Sequence, residues 1–527
     1  MLAKERKDWP THVVALKNSL GKLPLTIGKV LEFVAKLKKM QDVEDMTVIF
    51  CVDGLQHVEN DDFCTLSRIV KAICCFLNSS RVFTVWVCSA TAERSVSEVL
   101  GKCTQQRVYL LLPPLRGHEI ITPKTEMEKQ LVDDMGGHGR ALEILQEVLE
   151  KHRKVALADV DPAIIVADVY RELENRCNIF DTSFFSDPTN CQEVLTGILS
   201  RRKYYQFELI GQHTNMTVDW LQNIGFIRYT PDKRLECPFI ILMMLMKSIP
   251  KKPGDEDYAD NQIKRLALGW QPFEQFVAFH RRVKSIAFSG YPVLLSAFHA
   301  GARFGATDRL LIHEEVPRTV VKAVSQLETK SGSKDSLIRT EHHGSVDIST
   351  MSTVVVNADH AAAGDIFMRV HLTDGNRQIH SNEVIQCKFT ERNQKIDRAY
   401  YEKERTKAVN NASDVFLLIA PSDLVEPFDL RKRCGIVSKA EFNDYFGPFA
   451  SRAYRSLFEA PDINNASYQE LRLIEGVGDA IAAKIIAKRN RKRFSSHDDA
   501  IERLFKNRKC KTADILRELN CSPKAGQ

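Results

Sequence analysis

Gly364-Asp-Ile-Phe-Met-Arg-Val370 and Glu383-Val-Ile-Gln-Cys-Lys388 are the two short runs that decide how this chain reads. The first follows Ala361-Ala-Ala and can run as a strand entered through Gly364. Between them, Thr373-Asp-Gly-Asn-Arg377 is a turn signal. The expected hairpin carries Asp365 on one arm and Gln386 with Lys388 on the other. Residues two apart on a strand share a face, so Gln386 and Lys388 point one way with Val384, while Glu383, Ile385 and Cys387 point the other. Glu383 is therefore not the expected partner of Lys388. An acid, an amide and a lysine on one face can hold a hard cation, Mg²⁺ or Mn²⁺, beside a phosphodiester. Asp365 would bind the metal, Gln386 would support it, and Lys388 would orient the attacking water or stabilise developing charge. The same alternation also describes a half-buried strand whose Gln and Lys face water.

Outward from this pair, residues 262–455 read as one α/β domain. It opens with the amphipathic helix Phe273-Glu-Gln-Phe-Val-Ala-Phe-His-Arg-Arg, which would turn Glu274 inward beside Asp365 as a second metal-binding acid. Strands are expected over Ala361–His371, Glu383–Thr390 and Val415–Ile419, with a helix over Lys395–Asn410. His342, His343, His360, His371 and His380 match no zinc spacing and read as scattered loop residues.

The segment Asp462–Leu504 reads as a grip on DNA. Ile463-Asn-Asn-Ala opens a capped helix, and Gly476-Val477-Gly478 makes a tight hairpin before a second one. Backbone N–H groups at such a helix start suit a phosphate and carry no base information. The helix that follows is basic, with Lys484, Lys488, Arg489, Arg491, Lys492 and Arg493. The Lys488–Arg493 run also suits nuclear import.

Upstream, residues 1–155 alternate strands and helices. Met46–Asp53 and Val82–Ala90 read as buried strands, Arg107–Pro114 as a third, and Asp61–Asn78, Lys124–Asp133 and Gly139–Lys154 as helices. Asp53 ends the first strand where a nucleotide-binding fold would place a Mg²⁺ acid. The phosphate loop Gly-x4-Gly-Lys-Ser/Thr is absent, since Leu20-Gly21-Lys22-Leu23 lacks its first Gly and its hydroxyl, which speaks against ATP hydrolysis. Residues 156–261 read as helical with a hairpin about Pro231-Asp-Lys, a winged-helix pattern placed as a structural lid rather than a DNA reader. Lys251-Lys-Pro-Gly-Asp-Glu-Asp is a polar linker.

The net charge is only +6, from 74 Lys and Arg against 68 Asp and Glu, so the basic character is local rather than general. Thirteen cysteines without a Cys-x-x-Cys pair argue for a reducing compartment and against a zinc site. Cys51, Cys88 and Cys387 lie in apolar runs and are expected to be buried. No secretory leader is legible. The apolar run from Phe239 is too short to span a bilayer, so no membrane partner is expected.

Three resemblances bear on these readings. The last sixty or so residues resemble helix-hairpin-helix domains of the competence DNA-receptor type, through Ile-Asn-Asn-Ala, Gly-Val-Gly and the closing Phe494…Ala500-Ile. Asp365…Gln386-Cys-Lys388 resembles PD-(D/E)xK nucleases of the Mrr-like branch, in which Gln replaces the second acid and leaves one charged ligand fewer. The N-terminal half is similar to Crinkler and retrotransposon-hot-spot proteins through the Asp53 strand, Pro113-Pro-Leu and Gly136-Gly-His-Gly-Arg140-Ala-Leu, where Gly139 replaces a Pro. In related ATPases that arginine would approach the nucleotide. The family implies a multidomain α/β chain. A P-loop-NTPase-like module, degenerate or entered past its first strand, covers 1–155, and a helical or winged-helix-like region covers 156–261. A restriction-endonuclease-like domain covers 262–455 and an all-α helix-hairpin-helix covers 456–521. It implies a Mg²⁺-dependent DNA endonuclease held on DNA without sequence specificity, or else a DNA-binding effector with degenerate nuclease and ATPase. Self-association through the ATPase-like module is a further expectation. The expected place of action is the nucleus, of the organism's own cell or of a host cell reached by secretion.

Overall fold

The computed structural model describes residues 26–52, 63–88, 117–154, 162–177, 187–210, 217–249, 273–324, 337–388, 395–455 and 477–505, apart from breaks of one to five residues within them, together with Ile463, Asn464, Ala466 and Leu471. The chain divides into two compact units, Met1–Leu111 and Leu112–Gln527.

In the first unit, helix α1 (Ile27–Leu37) and strand β1 (Thr47–Val52) precede helix α2 (Phe63–Ser79) and strand β2 (Phe83–Cys88). Thr26 caps α1 through its hydroxyl. β1 and β2 pair in parallel, as a strand–helix–strand alternation requires. Leu31, Ala35 and Met46 form the centre of a small core, and Phe50 stacks on Trp86 at 4.2 Å. The expectation of two buried strands fails. Both show alternating exposure, with Ile49 63% and Phe83 66% exposed and Cys51 and Cys88 on the surface. The described residues cover one face of this pair only. Asp53, the Arg107–Pro114 segment and Leu20–Leu23 lie outside the described residues.

The second unit begins with helices α3 (Glu126–Met135), α4 (Gly139–Lys154), α5 (Pro162–Cys177) and α6 (Pro188–Leu199). The Gly136-Gly-His-Gly-Arg motif makes the turn into α4. Gly137 adopts φ +93°, and His138 Nδ1 accepts the Ala141 N–H at 3.2 Å, so the ring caps the helix start. Helix α7 (Val218–Asn223), the antiparallel strands β3 (Arg228–Tyr229) and β4 (Leu235–Glu236), and the buried helix α8 (Phe239–Lys247) follow. Buried Asp134 accepts the Phe239 N–H at 3.0 Å and so ties α8 back to α3.

Helix α9 (Phe273–Ala287) leads into a nine-stranded mixed sheet of β5 (Val293–Leu294), β6 (Arg303–Phe304), β7 (Leu310–His313), β8 (Thr319–Lys322), β11 (Thr353–Val356), β12 (Ile366–Asp374), β13 (Arg377–Cys387), β14 (Val415–Ile419) and β15 (Cys434–Val437). A separate hairpin joins β9 (Leu337–Thr340) to β10 (Gly344–Asp347). The sheet order is β5-β7-β12-β13-β14-β15-β6, with β11 on the first residues of β12 and β8 beyond it. β12 and β13 form the expected antiparallel hairpin, closed by a turn in which Gly375 has φ +62°. From β13 the chain crosses through helix α10 (Arg398–Ala408), within the expected Lys395–Asn410, to the parallel strands β14 and β15. The two sheet faces are both apolar: Ile385, Leu417 and Ile419 face α9, while Val384, Phe416, Leu418 and Tyr401 of α10 fill the other side. Helices α11 (Phe442–Phe446) and α12 (Pro448–Arg455) close the domain.

The last described segment has its own core. Ile463, Leu471, Val477, Ala482, Ile485, Phe494 and Ile501 pack together around α13 (Asp479–Arg491) and α14 (His497–Leu504). No helix among the described residues is long and apolar enough to cross a membrane.

Candidate nuclease-like site and basic C-terminal module

The sheet brings Asp365, Gln386 and Lys388 together. Asp365 sits immediately before β12, and its backbone carbonyl accepts the Asn357 N–H at 2.8 Å. The approach depends on Gly364, where a Cβ would lie 2.3 Å from Val384 Cγ1. Across the hairpin, Gln386 Nε2 donates to Asp365 Oδ2 at 2.5 Å, and the Cys387 backbone N–H donates to the same oxygen at 2.7 Å. An ionised carboxylate only accepts, so Gln386 must turn its NH₂ toward Asp365. Lys388 forms an ion pair with Glu404 Oε2 at 3.2 Å, and Lys407 reaches the other oxygen at 3.0 Å.

The electrostatics follow from burial. Asp365 is pushed up to about 7, chiefly by desolvation. The Cys387 N–H and the Lys388 charge pull it down, and the negative charges of Glu274 and Glu404 push it up. Glu274, half-buried near the start of α9, is thus felt at the site, as the inward-turned helix face implied. Burial would raise Glu404, but hydrogen bonds and charge from Lys407 and Lys388 hold it below its ordinary value. Tyr400, one turn before Glu404, is raised by burial and by the charges of Glu404 and Asp365.

Glu404 does not stand out in the sequence because a basic, polar helix hides it. The signal exists: Tyr401 is buried in the sheet core, and Glu404 lies three residues on along the same face of α10. The fate of Glu383 agrees with strand parity. It points to the α9 side, where Arg281 Nε meets its Oε2 at 2.9 Å and His299 Nε2 lies 3.3 Å from Oε1. Arg281 also reaches Glu314 at 2.6 Å, which Arg318 holds at 2.8 Å. Against burial, Arg281 and His299 keep the Glu383 carboxyl far below its usual range.

The histidines correct an expectation. His371 and His380 lie on strands, not loops, and with His313 on β7 they stack in a row with centroids 4.7 and 4.8 Å apart. Cross-strand register places them so, and His342, His343 and His360 lie outside the described residues. Among the described residues, no three His, Cys, Asp or Glu side chains gather as a ready metal-binding cluster. Arg140 is exposed near the start of α4 and has no ion-pair partner among the described residues.

In the C-terminal module the opening and closing motifs meet. Asn464 Oδ1 accepts the Phe494 N–H at 2.8 Å, and its Nδ2 donates to the Phe494 carbonyl at 2.9 Å. Val477 is buried in the core, while Gly476 and Gly478 lie outside the described residues. The basic residues divide in two. Lys484 and Arg489 donate to the Leu504 and Ile463 carbonyls, so they hold the module together. Arg491, Lys492 and Arg493 are exposed, with Lys488 half-buried beside them. Arg503 caps this helix end by donating to the Lys488 and Lys492 carbonyls at 2.8 and 2.6 Å.

No family model matches the chain, and no solved structure matches it. A relative from Phytophthora sojae, described as Crinkler effector protein 108, is 52% identical over 522 residues, which is 98% of the chain. The chain spans about 63% of that relative's length. Over those 522 residues the chain is similar to a protein that is itself described as a Crinkler effector.

Proposed function

We propose that the chain is a DNA-binding effector of the Crinkler kind, in which a nuclease-like sheet domain keeps its frame but not a complete metal site. The observation that carries this reading is how the site residues are engaged. Gln386 turns its donor to Asp365, Lys388 is held by Glu404, and the described acids do not form a three-ligand cluster. The chemistry of the donors suits a hard cation in kind, since Asp365 and Glu274 supply oxygen, but it is short in number. The order of β12, β13, α10 and β14 around Asp365 is what supports the PD-(D/E)xK likeness. DNA contact is assigned to the C-terminal module, through the Gly476-Val477-Gly478 hairpin and the exposed Arg491, Lys492 and Arg493, by backbone rather than base contacts. The strand–helix–strand unit and winged hairpin would then serve regulation, with ATP bound weakly or not at all and self-association open to that unit. The nucleus is the proposed place of action, with Lys488–Arg493 as import signal.

A second reading, a working Mg²⁺- or Mn²⁺-dependent endonuclease, draws on one observation. Asp365 is held near 7 beside two further acids, an arrangement that a divalent cation would relieve. Asp365 and Glu274 would hold the ion, which would supply an activated water. Lys388, released from Glu404, would sit beside the phosphate. A gel shift and a plasmid-nicking assay on the same protein separate the two readings. Binding without metal-dependent nicking supports the first. Nicking that Lys388→Ala abolishes, with binding retained, supports the second.

A further inference from the structure

The loop Arg201-Arg-Lys-Tyr-Tyr-Gln-Phe-Glu-Leu209 leaves α6 and runs beside the β3–β4 hairpin. Lys203 bridges to Arg234, Tyr204 N donates to the Lys233 carbonyl at 2.8 Å, and the Tyr229 hydroxyl donates to the Tyr204 carbonyl at 2.8 Å. Its tip is fixed from within. Glu208 N donates to the Tyr205 carbonyl at 2.9 Å, and the Glu208 carboxylate accepts the Tyr205 N–H at 3.0 Å and pairs with Arg202. Gln206 is tied to Asp219 of α7 through both side chain, at 3.0 Å, and backbone, at 2.9 Å. A loop held this firmly cannot fold its apolar groups inward. Yet Tyr205 is 72% exposed, Phe207 47% and Leu209 54%. An apolar cluster offered to solvent on a rigid support marks a binding surface.

The surrounding charge says what kind. Arg201, Arg202, Lys203, Arg228, Lys233 and Arg234 stand among Glu208, Asp219, Asp232, Glu236 and Asp444, so what matters is which cations these acids leave unpaired. Arg201 pairs with Glu236, Arg202 with Glu208, and Arg234 with Asp444 at 2.6 Å and Asp232 at 3.3 Å. Lys203, Arg228 and Lys233 are left with no carboxylate partner among the described residues. Lys233 lies 4.8 Å over the Tyr205 ring, from a hairpin position with φ +69° that a lysine seldom adopts. Exposed rings with unpaired cations beside them match a polyanion that also carries flat apolar faces. Bases within a duplex are already stacked on each other, whereas unpaired bases are free to stack on a tyrosine or phenylalanine.

We infer that this loop and hairpin form a second nucleic-acid site, which takes unpaired nucleotides by stacking on Tyr205 and Phe207 with phosphates on Lys203, Arg228 and Lys233. The inference deepens the DNA-binding reading and extends it to a part of the chain expected to act only as a lid. The test is fluorescence anisotropy of the full chain with labelled oligothymidylate and, separately, with a labelled mixed-sequence duplex. Tyr205→Ala combined with Phe207→Ala is expected to weaken oligothymidylate binding by roughly tenfold or more, with duplex binding unchanged. Lys203→Glu combined with Lys233→Glu is expected to weaken it as well and to flatten its salt dependence. These side chains are exposed, so the melting temperature of both variants should match the parent. Parental affinity for oligothymidylate in both variants overturns the proposal and leaves the surface to a protein partner. Loss of duplex binding by the parent itself would count against the C-terminal module alone.

Discussion

Half-buried Asp365, immediately before β12, and fully buried Glu383, on the neighbouring β13, have pKa values shifted in opposite directions. The Asp365 carboxyl is raised to about 7 in the fold, against about 3.9 for a free aspartate. A raised acid holds its proton more tightly when folded, so it subtracts stability as pH climbs from about 4 to about 7. Asp365→Asn removes that charge. Its unfolding free energy, measured by denaturant titration without divalent metal, should exceed the parent's above pH 7 by up to a few kcal/mol, and the gain should vanish below pH 4. Identical pH profiles would show that the charge is not strained. Glu383 is depressed instead, chiefly by Arg281 and His299 working against burial, so its contribution is present at neutral pH and lost as pH falls through the acid range. Glu383→Gln leaves Glu314 as one acid shared by Arg281 and Arg318, a surplus cation in a dry core, and should cost about 3–5 kcal/mol in denaturant unfolding at pH 7. A cost under about 1 kcal/mol would refute the ion-pair account. Strand parity in the sequence told these two acids apart. It could not supply their partners, because Arg281 precedes Glu383 by 102 residues and only the sheet brings them together.

Among the elements, the β12–β13 hairpin was legible because it alternates strictly and ends in a glycine turn, and α9 and α10 were legible from periodicity. Strands β5 to β11 were not, since they run only two to four residues and are fixed by their strand partners rather than by local pattern. The site sits where a legible hairpin meets a legible helix, and Glu404 escaped notice because Lys388 is sixteen residues away from it along the chain. Gly364 is the weakest point of the hairpin. Gly364→Ala would drive a Cβ against Val384 and should cost about 1–3 kcal/mol in chemical denaturation, whereas an unchanged midpoint would mean the strands can part freely. In the C-terminal module, Asn464 hydrogen-bonds the opening motif to both backbone groups of Phe494. Asn464→Ala should lower the stability of this module by about 1–3 kcal/mol, as read by amide exchange in α13, and weaken duplex binding. Exchange rates equal to the parent's would remove Asn464 from that role.

For the whole molecule, charge is placed rather than spread. A net +6 over 527 residues is too little for a general nucleic-acid coat, so the proposed binding rests on the exposed cluster at the end of α13 and on the loop beside β3 and β4. Deleting residues 460–527 should therefore weaken duplex binding and reduce its salt dependence, and unchanged binding would refute the anchor. The β1–α2–β2 and β12–β13–α10–β14 successions were readable from the sequence, while the unburied faces of β1 and β2 were not, because apolar runs look alike whether or not they are covered. The account turns on a nuclease frame whose lysine and amide are already engaged by the protein itself. Incubation of the full chain with supercoiled plasmid in Mg²⁺ or Mn²⁺ tests it most directly. The account predicts a retarded plasmid that stays supercoiled, and metal-dependent nicking that disappears in Lys388→Ala would contradict it.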